Sequence, residues 1–400
     1  MSNGWPVVAL GDIFAIARGG SPRPIQNFIT DDPDGVNWIM ISDATDSSKH
    51  ITSTKKRITK EGVKKSRMVH PGDFLLTNSM SFGRPYIMKI TGCIHDGWLV
   101  LSSRKETVDS DYFYHLLGSD VVYSEFARLA SGATVKNLNI DLVKGVHVPL
   151  PPVLEQRRIA EVLDRAEALR AKRRAAFAQL DSLTQSLFLD LFGDPVSKGW
   201  AMADIAGVAK PVAGSIRTGP FGSQLLHSEF TDCGIAVLGI DNAVANEFRW
   251  SERRFISEAK YRQLKRYTVR PGDVLITIMG TCGRCAVVPD DIPAAINTKH
   301  LCCITLDPAK CLPLFLHAYF LQHPIAQKYL TQTAKGAIMS GLNMGLIKGM
   351  PVPLAPLPLQ REFARRVLAV EKLKMAQHAS LAELDALFAS LQHRAFRGEL

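Results

Sequence analysis

Most of the chain alternates short apolar runs with glycine- and proline-rich punctuation, but two long stretches break that rhythm. One begins at Glu155 and the other near Gln360, and both run on without a glycine or proline. In the first, Val162, Ala166, Leu169, Ala176, Leu180, Leu183 and Leu187 recur at three- and four-residue steps, with Arg173 the one interruption. In the second, Val370, Leu373, Leu384, Leu387 and Leu391 keep that spacing, and Ser380 stands where Ala176 stands. A seam this narrow predicts a coiled coil, because a long helix lying on a globular core shows a broader apolar face. Gly193 ends the first helix and "FRGEL" ends the second.

Ahead of each helix the short runs read as strands and loops. "FLLT" (Phe74 to Thr77) and "VLITI" (Val274 to Ile278) each follow a Pro-Gly-Asp turn, and each half closes on a proline-rich stop, "VPLPP" or "VPLAPLP". The two halves repeat one another. "VHPGDFLLTNSMSFGR" answers "VRPGDVLITIMGTCGR" with Pro71 and Pro271, and Arg84 and Arg284, 200 positions apart. Later, Leu138-Asn139 answers Leu342-Asn343 and Gln156 answers Gln360, both at 204 positions. "WPVVALGDI" near the start resembles "WAMADIAGV" after Trp200.

The chain is therefore two tandem copies of one unit. The first helix leads out of unit one into unit two, and the second begins where unit two ends, so helices paired along their seams must be antiparallel. The expected fold class is α+β: two similar mixed α/β domains, 1–152 and 194–356, joined by two long antiparallel helices, 153–193 and 357–400, in a pseudo-two-fold dumbbell. Gln156 to Phe192 gives about 55 Å of helix, or at most about 16 base pairs of duplex length.

Composition agrees with a packed chain of more than one domain: 400 residues, 46% hydrophobic and 22% charged. The net charge of +10 points toward a polyanionic partner, and twin domains at fixed separation suit DNA. Basic residues cluster at matched places, with Lys49, Lys55, Lys56, Arg57, Lys60, Lys64, Lys65 and Arg67 in the first half. The second half has Arg249, Arg253, Arg254, Lys260, Arg262, Lys265 and Arg266. Such side chains neutralise phosphates without reading sequence, although a solvated charged face would look the same. Base reading needs donors and acceptors on loops. Candidates after the Pro-Gly-Asp strands are Thr77, Asn78, Ser79, Ser81 and Arg84, then Thr277, Thr281 and Arg284. Those before the proline-rich stops are Thr134, Lys136 and Asn137, then Lys335, Ser340 and Asn343, while "SIRTGPFGSQLLH" adds Arg217, Gln224 and His227. Asn139 and Asn343 equally suit helix N-caps.

Chemistry is hard to find. There is no Asn/Asp-Pro-Pro-aromatic loop for a flipped base, no G-x-x-x-x-G-K-[ST] phosphate loop, and "PDDIPAAINTK" puts Asn297 where a nuclease would want a second acid. Cys282, Cys285, Cys302 and Cys303, with His300, raise a zinc or redox alternative. The first half has Phe82 and Pro85 in place of the C-x-x-C pair, so small buried thiols are the expected role and no metal site is assigned. The opening residues lack a basic start followed by an apolar segment, and "LPLFLHAYFLQHP" is too short to span a bilayer, so a cytoplasmic protein with no membrane association is expected.

The doubled "PGDxLxT…GR" element, the "GPFGSQL" segment, the "PLPP…EQRRIA" lead into a long helix and the terminal "SLQHRAFRGEL" resemble the specificity (S) subunits of Type I restriction–modification systems over essentially the whole chain. That resemblance implies two target recognition domains, each reading half of a split, asymmetric DNA site, and a coiled coil that measures the unread spacer. It further implies a chain without catalysis of its own, two methyltransferase (M) subunits bound to it, and restriction (R) subunits joining them. S-adenosylmethionine would then belong to M and ATP to R, with no cofactor in this chain. The second copy departs from the motif, with "APLP" for "PLPP" and Leu359 for Glu155. The contrasting reading is a non-catalytic scaffold whose domains grip protein, with the basicity incidental.

Overall fold

The computed structural model describes residues 4–45, 49–78, 83–104, 106–130, 138–334 and 342–400. The chain divides into two compact units, 1–174 with 379–400 and 175–378, so that each long helix contributes one part to each unit.

The first unit is built on two five-stranded sheets. One orders its strands Phe14–Arg18, Trp98–Ser103, Phe74–Thr77, Pro85–Met88 and His50–Ile51; the other orders Ile29–Thr30, Lys56–Ile58, Val36–Ile39, Gly92–Ile94 and Arg67–Val69. The Pro-Gly-Asp turn forms as the sequence indicates. Gly72 adopts φ +93°, Asp73 accepts from the His70 backbone N–H at 2.7 Å, and Phe74–Thr77 follows as a buried central strand. One core joins Phe14, Phe74, Tyr112 and Phe113 to Ile159 and Leu163 of the first long helix and Phe388 of the second.

The second unit repeats this plan. Its sheets order Ile216–Thr218, Leu301–Ile304, Val274–Thr277 and Cys285–Val287, and then Phe230–Thr231, Phe255–Ile256, Ile235–Leu238, Ala295–Asn297 and Thr268–Val269. Gly272 (φ +75°) and Asp273 rebuild the turn. The core again closes on the long helices, here through Phe188, Phe192 and Phe363.

The long helices run Val153–Phe192 and Leu357–Ala395. In the first unit they pair antiparallel: Arg170 Nε donates to Asp385 at 2.6 Å, while Arg158, one end of the pairing, donates to the Leu400 carbonyl at 2.7 Å. In the second unit Phe177 packs edge-on against His378 at 4.4 Å and Phe188 against Phe363 at 5.4 Å, so the direction is again opposed.

The seam is a heptad seam, but half of its positions lie one residue beyond those expected. Leu169, Leu183, Leu373 and Leu387 are 39–56% exposed, whereas Arg170, Thr184, Lys374 and Phe388 face inward. Ala166, Leu180, Leu187, Val370, Leu384 and Leu391 stand where expected. Arg170 lies over the Phe388 ring at 4.3 Å and bonds Asp385, a pairing that a search for apolar residues passes over, while the aromatic Phe177 and Phe388 face inward one residue beyond the exposed Ala176 and Leu387.

The matched glutamines account for the start of each helix. Gln156 and Gln360 are wholly buried. Gln156 accepts from the Asp109 N–H (2.8 Å) and donates to Thr107 O (2.9 Å) and Pro151 O (2.8 Å). Gln360 accepts from the Leu312 N–H (2.8 Å) and donates to Lys310 O (3.1 Å) and Ala355 O (2.7 Å). One side chain thus satisfies three backbone groups in each unit, tying the helix to the domain ahead of it. In the first unit a charged cluster adds a second tie, with Lys49 Nζ at 2.7 Å from Asp111 and 2.8 Å from Asp164, and His115 Nε2 at 2.8 Å from Asp164.

Candidate nucleic-acid interface

Backbone hydrogen bonds draw together the described residues beside those loops in each unit. In the first, Leu138 N–H donates to Asn78 O (3.0 Å), Asn78 N–H to Gly97 O (3.0 Å), and Gly19 N–H to Trp98 O (2.9 Å). In the second, Leu342 N–H donates to Ile278 O (3.1 Å), Ile278 N–H to His300 O (2.9 Å), and Gly219 N–H to Thr298 O (3.3 Å). Gly19 and Gly219 are needed at this crossing, because a Cβ on either would lie 2.0 Å from a backbone oxygen, of His95 or Asn297. One edge of each domain therefore gathers the end of the Pro-Gly-Asp strand at Asn78 or Ile278, the chain at Leu138 or Leu342, and a tight strand-to-strand turn at 95–97 or 298–300.

The basic clusters occupy equivalent strands. Lys55, Lys56, Lys64 and Lys65 are exposed around the Lys56–Ile58 strand, and Arg253 is exposed beside the Phe255–Ile256 strand, its guanidinium over Trp250 at 5.0 Å. Arg57 is turned to its own domain, donating to Pro33 O at 2.6 Å, and Arg254 is half-buried in an ion pair with Asp241. Lys49 is committed to Asp111 and Asp164. Arg84, Gln224, His227, Thr281 and Arg284 are exposed. Arg84 lies over Tyr86 at 5.5 Å, and Gln224 accepts from the Tyr267 hydroxyl at 2.9 Å.

Several candidate residues are turned away from the surface or occupied in the fold. Arg217 is not on a loop but in the Ile216–Thr218 strand, 7% exposed. It donates to Asp273 (2.5 Å), Thr268 O (2.5 Å) and Thr305 (3.0 Å) and is a core residue, not a surface contact. Asn78 is likewise buried, its Nδ2 donating to Asp96 O at 2.8 Å, so it shapes the turn from beneath. Asn343 is an N-cap, its Oδ1 accepting from the Leu346 N–H at 2.9 Å, as Asn139 accepts from Leu142. Thr77 and Thr277 also lie buried at strand ends. Ser79, Ser81, Thr134, Lys136, Asn137, Lys335 and Ser340 fall outside the described residues.

Asp96, Ser21, Thr298 and Lys299 also lie on or beside this edge and are not marked by the loop composition. The signal that would have found them is the short turn between apolar runs whose charge differs between the two copies.

The cysteines lie within the second unit's core strands: Cys285, Cys302 and Cys303 are buried free thiols. Burial raises all three, Cys302 to about 12, which makes them poor nucleophiles and poor metal ligands. Among the described residues no group of three or more His, Cys, Asp or Glu side chains is arranged to hold a metal ion. Nor, among these residues, is any helix long and apolar enough to cross a membrane.

Each unit thus carries two sheets, one loop edge and a segment of each long helix. Residues 2–176 match the family model of the Type I restriction modification DNA specificity domain. The EcoBI specificity subunit of a Type I restriction enzyme from Escherichia coli is 26% identical over 365 residues, 83% of this chain and 74% of that protein. The EcoKI specificity subunit, also of Escherichia coli, is 22% identical over 436 residues, 100% of this chain and 90% of that one. A solved chain from work on the assembly and conformational transition of the type I R-M system shares the fold with a TM-score of 0.65, at 20% identity, over 100% of this chain and 99% of that one. Residues 2–176 thus carry the DNA specificity domain of Type I restriction–modification systems, the family that the sequence motifs indicate. A protein-gripping scaffold is not favoured.

Proposed function

We propose that this chain is the non-catalytic DNA-recognition subunit of a Type I restriction–modification complex in the cytoplasm. Two target recognition domains, 1–152 and 194–356, each read one half of an asymmetric site. The long helices, 153–193 and 357–400, set the unread spacer, and two methyltransferase subunits bind the chain, with restriction subunits joining them. S-adenosylmethionine and ATP act on those partners.

The observation that carries this reading is the matched loop edge: one backbone frame, built twice on Gly19 and Gly219, with different side chains on it. Proteins that recognise a single symmetric site have no use for such a difference. Lys55, Lys56, Lys64, Lys65 and Arg253 serve phosphates, and Arg84, Gln224, His227, Thr281 and Arg284 are the exposed candidates nearer the bases. Methylome sequencing of a host with and without this chain and its methyltransferase tests the reading. A bipartite methylated motif that vanishes with the chain supports it, and a single continuous motif contradicts it.

A further inference from the structure

Two copies of one fold that read different sequences need differ only where they read. One place in this molecule joins a shared frame to opposite chemistry: the turn that carries the chain from one sheet of the unit to the other, at 95–97 and 298–300. Its backbone is anchored from beneath in both units. In the first, Asp96 O accepts from Arg18 Nε (2.9 Å) and from buried Asn78 Nδ2 (2.8 Å). In the second, Thr298 N–H donates to Leu238 O (2.9 Å) and Thr298 O accepts from the Leu301 N–H (3.1 Å).

The side chains on that frame differ in kind. The first turn presents the Asp96 carboxylate, 44% exposed. Its Oδ1 is held by the Ser21 hydroxyl at 2.8 Å, while Oδ2 meets the 83% exposed Arg23 guanidinium at 3.4 Å. The Ser21 hydrogen bond lowers the carboxyl's pKa, so it remains an acceptor at neutral pH. The second turn presents Lys299 and His300 on a cavity of about 370 Å³, walled by Leu225 and Phe230 on its apolar side. Thr298 and Arg254 also line this cavity, and behind its wall Thr298 Oγ1 and Arg254 Nε are buried without a hydrogen-bond partner among the described residues. A buried polar group without a partner is costly, and its occurrence twice in one cavity points to a ligand that supplies acceptors. In the major groove guanine offers two acceptors, N7 and O6, whereas adenine N6 and cytosine N4 offer amino donors.

Resting on the DNA-recognition reading above, we propose that these turns are specificity-determining elements of opposite polarity. Asp96 accepts from the amino edge of an adenine or cytosine in one half-site. Lys299, with Thr298 and Arg254, donates to a guanine in the other. Ser21 and Asn78 act as positioning residues that hold the first turn in place.

The test is selection of randomised duplex DNA by the full-length chain co-purified with its methyltransferase, comparing wild type with Asp96→Asn and Lys299→Gln. Each variant is expected to relax preference about fivefold to a hundredfold at one base position of one half-site, the range a single base contact confers. Preference at the other half-site stays intact and shows that the variant is folded and assembled. Unchanged preferences, or an even loss of affinity across all sequences as for a phosphate contact, would overturn the inference while leaving the DNA-recognition reading standing. A wild type that selects no bipartite sequence would instead sink that reading, and this inference with it.

Discussion

Arg217→Ala separates a structural arginine from a reading one. Asp273, 1% exposed, accepts from Arg217 Nη2 at 2.5 Å, Thr305 Oγ1 at 2.6 Å and the Arg270 N–H at 2.8 Å. Arg217 in turn satisfies the carbonyls of Thr268 and Gly214. Removing one member of a buried pair leaves the other charge unpaired, a loss of about 3–5 kcal/mol. Because Thr305 and Arg270 still reach Asp273, the lower end applies, about 3 kcal/mol. For a unit the size of 175–378, each kcal/mol moves the melting midpoint by about 2–4 °C, so a fall of about 6–12 °C is expected. Differential scanning calorimetry of the full chain should show the second unit's transition moving alone. Below that transition the variant should select the same DNA as wild type. A variant of unchanged stability with altered DNA selection would refute the assignment of Arg217 to the core.

Two further perturbations probe the joints between domain and helix. Gln156→Leu and Gln360→Leu each orphan one backbone N–H and two carbonyls, and each should destabilise its own unit by about 2–4 kcal/mol, measured by urea unfolding; a cost in one unit only would break the equivalence of the two. Asp164 gives a pH signature. Burial opposes its ionisation, but hydrogen bonds and charge from His115 and Lys49 outweigh this and set its carboxyl at about 2. Since the folded value lies below the unfolded one, this stabilisation is complete above about pH 4 and is lost as pH falls toward 2. With the side chain 42% exposed, screening reduces it to about 1 kcal/mol. Asp164→Asn should thus be less stable than wild type at pH 7, with the gap shrinking as pH falls through about 2; an equal gap at both values would remove the cluster from the stability account.

Much of this architecture was legible because it is periodic or doubled. The Pro-Gly-Asp turns, the matched glutamines and the extents of both helices follow from repetition alone. The order of strands within each sheet did not, since strands of two to six residues pair across long stretches of chain with no local signature. The seam is displaced at alternate positions: Arg170 and Thr184 are polar and escape an apolar pattern, and Phe177 and Phe388 sit one residue beyond the Ala176 and Leu387 that fit it. Arg217 was misplaced for a related reason: "SIRTGPFG" has the composition of a loop, yet its first residues pair with Cys302–Ile304 as a strand. Composition found the loops but not the turn on which they converge.

The central claim is that the paired helices determine the spacing between two half-sites. Excising one heptad from each, 174–180 and 375–381, centred on the facing Phe177 and His378, removes about 10 Å of rod. Methylome sequencing should then return the same two half-sites with the spacer shortened by up to about three base pairs. The same half-sites at the original spacing would contradict the account.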